Sequence, residues 1–410
     1  MNRFKIQVKN ENWISLIKNI IRIKPDVVFL HHSFDSPKHL FLQIFLKMLN
    51  IKIIIGLDLL KVNFVYTLFN FEIKRYREFL KDLIKYPLMY LQILLADGLW
   101  CRTQYEKDFI FPVMKHSRNK FIVIPPGHNF KIGTSTKDLY ILTISGWWQD
   151  RKNLHTVIKV FSEVIKKKKC KLVVVGDFFK GKYKTFDKTG EKYTGKYETG
   201  EIYKRKIMDL IEELNLTDYV EFVGVKIGKE LEKIFKRAKI YYMPTKCDTF
   251  APVWLGAMSF GTPIVAMKNS CVQYIIKDNV GFLRNTQKRQ KKAILRLLTD
   301  KKLYEQMRKN CLKEAEKYKW RNIIKEWYRV MDSFKKKKKI VHIMDIFGKG
   351  YIKGVLTDAG YLAVEMGKSK KYDVTVFVFK KNFLDMIIYL LTVCLLPIVI
   401  LKLIFERFVI

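Results

Sequence analysis

Two adjacent basic residues, Arg151 and Lys152, follow a glycine turn in the segment SGWWQDRKN at 145–153. The apolar run before them, LYILTISG at 139–146, predicts a buried strand, so the basic pair is expected at the carboxyl end of a strand. Ligands of open α/β sheets bind at that edge, where two cations can neutralise a diphosphate leaving group. The alternative is an exposed basic loop, because the chain contains 78 lysines and arginines.

An acidic residue and a hydroxyl residue, Asp248 and Thr249, precede the helix-like segment PVWLGAMSF at 252–260. Either side chain can cap the amino end of that helix, and the helix dipole favours a phosphate bound beside it. A helix cap and a phosphate site are compatible with each other, so both interpretations stay open.

Polar residues also follow two apolar runs near the start of the chain. The run VVFLHHS contains His31 and His32, and the run IKIIIG is followed by Asp58. A histidine at the end of a strand is a candidate for touching substrate, and a structural histidine is an equal alternative. Asp58 can orient an acceptor hydroxyl or cap a helix.

The chain has 410 residues, a formal net charge of +39 and a hydrophobic fraction of 49%. This composition excludes an acidic tail protein and a wholly disordered chain, and it predicts a folded protein with a strongly basic surface. Such a surface favours phosphate, whether in nucleic acid, anionic lipid or a phosphorylated substrate. The sequence contains no zinc-finger spacing and no aromatic RNA-binding motif, so we expect no nucleic-acid partner.

The six cysteines are scattered without metal-ligand spacing, which predicts reduced thiols and no metal site. The first residues, MNRFKIQVKNENW, contain no apolar core of a signal peptide. We therefore expect a cytoplasmic protein.

Strand and helix patterns alternate through most of the chain, which predicts an α/β fold with parallel sheets. The first series ends at the polar segment GTSTKD, and the second starts at 139 and leads into long basic helices that end near 331. Between Asp177 and Tyr203, recurring Thr-Gly pairs predict a surface hairpin or a flexible flap.

Five lysines at 335–339 precede a further strand–helix–strand pattern at 340–378. The residues at 332–339 are interpreted as a solvated, lysine-rich linker. A unit of about forty residues is too small to form a core of its own, so the pattern at 340–378 needs a host sheet.

The motifs of the second series occur in an order that resembles glycosyltransferase family 4. SGWWQDRKN is followed by VVVGD, NLTDYVEFVG, AKIYYMPTKCDTFAPVWLGAMSFGTPIVA and VQYIIKDNVGFL. The resemblance covers 136–331 closely and 20–130 more loosely. It implies two Rossmann-like parallel-sheet domains facing a cleft, the GT-B fold. It also implies a retaining hexosyltransferase that uses a nucleoside-diphosphate sugar and a glycan or lipid-linked acceptor, without a metal or a cofactor.

The resemblance implies roles for individual residues of the second series. Arg151 and Lys152 would stabilise the leaving diphosphate, and Asp248 would contact the donor sugar. The other substrate-binding residues expected in this series are Gly146, Thr249, Phe250, Ala251 and Gly256.

Two positions depart from the family's pattern. The second acidic residue, which holds the ribose hydroxyls in the family, is replaced by Gly256, and the arginine usual after the loop glycine is replaced by Trp147. Losing a hydrogen bond to a charged group weakens binding by about 1.5 to 3 kcal/mol. A non-catalytic GT-B-like protein that binds a glycan or a partner at the membrane is therefore the alternative function.

Members of the family begin with a strand, a glycine-rich turn and a helix. In this sequence the residues at 339–379 resemble that unit, with Gly348 and Gly350 in the acceptor-side, substrate-binding loop. We therefore expect a circularly permuted acceptor domain, 1–134 plus 340–381, beside a nucleotide-sugar domain at 136–331. The rival explanation is a broken or fused reading frame.

Two segments suggest contact with a membrane. The residues at 74–95 combine basic and aromatic side chains in an amphipathic pattern, and the tail at 382–410 contains an uncharged apolar run at 386–401. Both segments are also compatible with ordinary covering or buried helices. We expect association with the cytoplasmic face of a membrane.

Overall fold

The structure is a computed structural model. It describes residues 13–31, 37–56, 91–110, 119–133, 137–178, 180, 182–186, 193–246, 248, 250–268, 271–334, 339–346, 355–369 and 371–380. These residues divide into two compact units, which are considered separately. One unit holds the described residues up to Arg102, from Glu106 to Pro125, and from Ile324 onward. The other unit holds Thr103–Tyr105 and Pro126–Ile323.

The strands are numbered in chain order. They are β1 (Val27–His31), β2 (Lys52–Gly56), β3 (Gly98–Cys101), β4 (Phe121–Val123), β5 (Tyr140–Trp148), β6 (Lys171–Phe178), β7 (Lys182–Phe186), β8 (Tyr193–Thr199), β9 (Val220–Gly224), β10 (Ile240–Met243), β11 (Ile264–Ala266), β12 (Gly281–Leu283), β13 (Lys339–Ile346) and β14 (Asp373–Lys380).

The α-helices are numbered in the same way. They are α1 (Trp13–Ile23), α2 (Pro37–Met48), α3 (Gln104–Ile110), α4 (Leu154–Ile165), α5 (Gly200–Glu213), α6 (Gly228–Arg237), α7 (Pro252–Ser259), α8 (Val272–Ile275), α9 (Gln287–Thr299), α10 (Lys301–Lys317), α11 (Trp320–Ser333) and α12 (Val355–Gly367).

The first unit is built on a six-stranded sheet with the order β14-β13-β1-β2-β3-β4. All neighbouring strands in it are parallel. Every residue of β1 is buried, as expected for a strand of a parallel sheet that is covered on both faces. The apolar runs of the first series therefore form the strands that their composition predicts.

The strand β13 lies beside β1 in this sheet. Val27 pairs with Ile340 and His31 pairs with Met344, in parallel register. Just before the strands, the backbone N–H of Lys339 donates to a carboxylate oxygen of Asp26 at 2.9 Å. The sheet is thus assembled from strands before residue 124 and after residue 338, and the short strand–helix–strand pattern has the host sheet that its size requires.

The boundary between the units lies inside α11. Residues from Ile324 onward group with the first unit, whereas the predicted nucleotide-sugar domain extends to 331. The physical reason is Trp327, whose ring packs edge-on against Phe29 and against Trp100 of the first sheet.

The second unit contains a parallel six-stranded sheet with the order β12-β11-β10-β5-β6-β9. Its core includes the apolar face of α4 and the buried strands β10 and β11. Beside β5, Gly176 of β6 has a φ of +119°, and an added Cβ would lie 1.6 Å from the carbonyl oxygen of Ser145. A glycine is therefore required where the ends of β5 and β6 approach each other. The two parallel-sheet α/β units confirm the predicted fold class.

The Thr-Gly segment contains an antiparallel hairpin of β7 and β8, which is one of the two alternatives predicted from the sequence. The hairpin forms a two-stranded sheet of its own, and β7 lies next to the turn at Asp150–Lys152. The sequence did not predict β12, whose three residues are too short to show a strand pattern.

The membrane prediction depends on segments that the structure leaves largely undescribed. Most of 74–95 and all of 382–410 lie outside the described residues. Among the helices that the structure does describe, none has the length and apolar character needed to cross a membrane.

Candidate functional site

A tight turn connects β5 to α4 and carries the predicted basic pair. It is a 3-10 turn over Asp150–Lys152, and the next residue, Asn153, has left-handed backbone angles with φ of 62°. Asparagine tolerates this conformation better than most residues. The side chain of Asn153 donates from Nδ2 to the carbonyl oxygen of Pro244 at 2.8 Å, which ties the turn to the end of β10.

Two crossed ion pairs join this turn to the loop after β10. Lys152 Nζ lies 2.5 Å from Oδ2 of Asp248, and Lys246 Nζ lies 2.9 Å from Oδ1 of Asp150. The four side chains are only 8% to 14% exposed. The backbone N–H of Lys246 also donates to the carbonyl oxygen of Arg151 at 2.8 Å. The carboxyl ends of two neighbouring parallel strands thus bring Arg151, Lys152 and Asp248 together, at the edge where such sheets bind ligands.

The pair formed by Asp150 and Lys246 is the part of this site that the sequence did not predict. Each residue stands two positions from a predicted one, since Asp150 precedes Lys152 and Lys246 precedes Asp248. The turn has an acid followed two positions later by a lysine, and the loop after β10 has a lysine followed two positions later by an acid. These opposite charge orders could have indicated the second pair.

The helix α7 begins at Pro252, close to Asp248. Its N-cap is Ala251, which makes no side-chain capping bond. Of the two capping candidates, Asp248 is not the N-cap residue, and its carboxylate binds Lys152. The backbone of Asp248 is held by Cys271, whose Sγ–H donates to the Asp248 carbonyl oxygen at 2.8 Å. Phe250 and Ala251, two of the predicted substrate-binding residues, are both buried.

The two predicted site glycines have different surroundings. Gly146 is exposed, and an added Cβ there would meet no atom within 4 Å. It lies where the register between β5 and β6 shifts, between Ile144 and Trp147. Gly256 is buried in α7, and an added Cβ would lie 2.7 Å from the ring of Phe235. Gly256 therefore fills a packing position against the core.

His31 is part of a buried ring cluster in the first unit. Its Nε2 lies 3.0 Å from Nδ1 of His342, and the two rings are stacked. Phe29 stacks on both imidazoles, and Trp100 meets His31 edge-on. Burial, assisted by the charge of Arg102, lowers the pKa of His31 to about 3, and burial also holds the pKa of His342 well below its usual value. The contacts that the structure describes for His31 are those of a neutral structural histidine.

A second polar cluster lies behind the turn, at the start of α4. The hydroxyl of Tyr203 accepts the backbone N–H of Leu154 at 3.0 Å and lies 3.4 Å from Nδ1 of His155. Burial, followed by the charge of Lys246, lowers the pKa of His155 to about 4. This imidazole is therefore neutral at physiological pH, and the positive charge near the turn comes from the lysines and the arginine.

Several predicted site residues lie outside the described part of the chain. These are Thr249, His32, Asp58, Gly348 and Gly350. Within the described part, no three His, Cys, Asp or Glu side chains are grouped so that they could hold a metal ion.

Comparison with protein families gives one match in the second unit. Residues 128–314 match the family model described as "Glycosyl transferases group 1". The matched region contains the turn, both crossed ion pairs and α7.

Curated relatives match over part of their length. An uncharacterized glycosyltransferase of Methanocaldococcus jannaschii is 26% identical over 208 residues, which are 49% of this chain and 47% of the relative. The sulfoquinovosyl transferase of Arabidopsis thaliana is 32% identical over 133 residues, 30% of this chain and 26% of the relative. The chain thus spans less than half the length of these relatives.

Solved structures are similar over most of the chain. Sucrose-phosphate synthase from Thermosynechococcus elongatus has a TM-score of 0.57 at 18% identity and covers 78% of this chain and 77% of its own. Anabaena HepE in complex with UDP-glucose has a TM-score of 0.57 at 13% identity, covering 80% of this chain and 84% of its own. At these identities the likeness concerns the fold, which is the GT-B fold of two parallel-sheet α/β domains.

Proposed function

We propose that the protein is a glycosyltransferase that moves a sugar from a nucleoside-diphosphate sugar to a glycan or lipid-linked acceptor. The observation that carries this proposal is the buried Lys152–Asp248 pair at the carboxyl edge of the second sheet, beside Arg151 and the start of α7. The match to glycosyl transferases group 1 over 128–314 and the fold shared with HepE, whose structure holds UDP-glucose, support it.

The residues of the site have distinct roles in this reaction. Lys152 and Arg151 stabilise the negative charge that develops on the leaving diphosphate, and the amino end of α7 adds its dipole. Asp248 accepts hydrogen bonds from donor-sugar hydroxyls. Because cationic side chains and the helix end supply the positive charge, the reaction requires neither a metal ion nor a cofactor. By its resemblance to family 4, the enzyme is a hexosyltransferase that retains the anomeric configuration.

The acceptor side of the protein is a circularly permuted domain in this proposal. It consists of 1–134 and 340–381, and the loop with Gly348 and Gly350 binds the acceptor. The parallel pairing of β13 with β1 supports this assignment, since it gives the residues at 339–379 a place in the first sheet.

The acceptor is associated with the cytoplasmic face of a membrane in this proposal. The support comes from the net charge of +39, the basic aromatic segment at 74–95 and the apolar run at 386–401. A basic surface is attracted to anionic lipid, which would bring the enzyme close to a lipid-linked acceptor.

A non-catalytic GT-B-like protein that binds a glycan or a partner is the second candidate function. It is favoured by Gly256, which packs against Phe235 where a resembling protein has a ribose-binding acid, and by Trp147 in the place of an arginine.

The two candidates differ in turnover. The purified protein is incubated with UDP-, GDP- and ADP-linked hexoses and with membrane or glycan fractions as acceptors, and release of the nucleoside diphosphate is measured. A glycosyltransferase releases it from at least one donor, in a manner that depends on the acceptor. Binding of acceptor glycan without release from any donor supports the non-catalytic candidate.

A further inference from the structure

Lys246 is a cation of the candidate site that lies in the motif AKIYYMPTKCDTF but has no role predicted from the sequence. Its side chain is 8% exposed, and its Nζ lies 2.9 Å and 3.0 Å from the two carboxylate oxygens of Asp150. Its backbone N–H donates to the carbonyl oxygen of Arg151, and the hydroxyl of Thr245 donates to the same oxygen at 3.1 Å. Lys246 is therefore fixed beside the turn that carries the predicted diphosphate ligands.

The burial of this ion pair indicates a role beyond stability. Removing two charges from water opposes folding about as strongly as their attraction favours it, and an apolar pair of similar volume is often at least as stable. The second unit nevertheless has two such pairs crossed between the same two loops, Lys246–Asp150 and Lys152–Asp248. Lysines that are oriented by carboxylates in this way are suited to bind an anion with several oxygens.

The positive charge of Lys246 affects a neighbouring side chain at the start of α4. Together with burial, it lowers the pKa of His155, the second residue of α4. Trp147, near the end of β5, stands where resembling proteins usually have an arginine, so the β5 side supplies one cation fewer. Lys246 follows β10, the neighbouring strand, and supplies a cation at the same edge of the sheet.

We propose that Lys246 is a further diphosphate-binding residue and that Asp150 orients its ammonium group. The inference rests on the proposed function, because it concerns the donor site of the same enzyme. The oxygens of a bound diphosphate take over hydrogen bonds that Asp150 accepts from Nζ in this structure. Lys246 thus adds a third cation, from the loop after β10, to Arg151 and Lys152 in the turn after β5.

Calorimetry with the full chain tests this assignment. UDP, GDP and ADP are titrated into the protein, and the tightest of them is compared with its nucleoside monophosphate and with inorganic pyrophosphate. Lys246→Met is expected to weaken diphosphate and pyrophosphate binding about tenfold or more, and monophosphate binding less. Lys168→Met is the matched control, because Lys168 is exposed beyond the far end of α4 and its replacement removes the same charge.

A second variant, Asp150→Asn, distinguishes a ligand-binding role of Lys246 from a purely structural role of the Lys246–Asp150 ion pair. If Lys246 binds the diphosphate, Asp150→Asn retains the affinity or raises it, because the asparagine Oδ1 still accepts a hydrogen bond from Nζ and orients it, while the competing negative charge is removed. Equal losses of affinity and of melting temperature in Asp150→Asn and Lys246→Met would overturn the inference, and so would unchanged affinity in Lys246→Met. Neither of these results touches the proposed function, whereas a wild-type protein that binds no nucleoside diphosphate would overturn both.

Discussion

Lys152 and Asp248 lie against each other in a position that is largely closed to water. Removing one partner leaves the other charge without compensation, which lowers stability by several kcal/mol in buried pairs and by less at this partial exposure. Lys152→Gln is therefore a better probe than Lys152→Ala, because its amide can still donate to Asp248.

The buried imidazoles predict how stability depends on pH. His31 has a pKa lowered to about 3, and the unfolded value is near 6.5, so the unfolded chain binds more protons between these values. The contribution of His31 is fully present above pH 6.5 and is lost as the pH falls towards 3. Each pH unit in that window removes about 1.4 kcal/mol for a fully buried histidine.

Urea unfolding monitored between pH 4 and 8 measures this effect. The double variant His31→Phe/His342→Phe should show a flatter loss of stability below pH 6.5 than the wild type. A profile as steep as that of the wild type would contradict a role for this pair.

Site residues could be predicted from the sequence where a short local motif places a charged residue directly after a strand. Arg151 and Lys152 follow a strand and a glycine, and the structure puts both at the predicted edge. The partners could not be predicted, because Lys152–Asp248 and Lys246–Asp150 each join residues 96 positions apart, and His31–His342 joins residues 311 apart. Such contacts depend on strand order, which a single sequence leaves open.

At the scale of elements, the turn between β5 and α4 determines the geometry of the site. It requires a left-handed residue at Asn153 and a glycine at Gly176 where β6 passes Ser145. The hydrogen bond from Asn153 to Pro244 couples the turn to β10, so the two charged loops are positioned together. The sequence predicted strands and helices here because their apolar runs are long. It did not predict that Ala251 occupies the N-cap position of α7 without a side-chain capping bond.

Substitutions at Asn153 test this role of the turn. Asn153→Gly keeps the left-handed backbone accessible and loses only the side-chain hydrogen bond, at about 1 kcal/mol. Asn153→Ala loses the same bond and adds about 1 kcal/mol of backbone strain. Chemical denaturation should therefore rank the stabilities as wild type, Asn153→Gly and Asn153→Ala. If alanine were tolerated as well as glycine, the left-handed turn would not be required.

In the whole molecule, the first sheet is formed by two separate stretches of the sequence. β1 to β4 precede the strands of the second unit, and β13 and β14 follow them. β13 forms hydrogen bonds with β1 on one side and β14 on the other, so β1 would become an edge strand without them. The alternation of strand and helix patterns predicts two α/β domains, and the small size of the unit at 340–378 predicts that it needs a host sheet. Which sheet accepts them followed from the resemblance and from no local pattern.

Truncation before residue 335 is expected to affect one unit more than the other. Without β13 and β14, the apolar faces of Val28 and Leu30 in β1 lose neighbours that bury them, and the backbone loses its hydrogen-bond partners. Hydrogen exchange of β1 amides should accelerate about 100-fold or more, while α4 amides in the second unit stay protected. Unchanged protection of β1 would contradict the observed strand order.

The central claim is that the second unit binds a nucleoside diphosphate through Lys152, and calorimetric titration of the full chain tests it most directly. UDP, GDP and ADP are titrated up to millimolar concentration into the wild type, Lys152→Gln and the control Lys168→Gln. We expect saturable binding of at least one nucleotide, an affinity about tenfold or more lower in Lys152→Gln, and no change in the control. Absence of saturable binding in the wild type, or equal affinity in the wild type and Lys152→Gln, would contradict it.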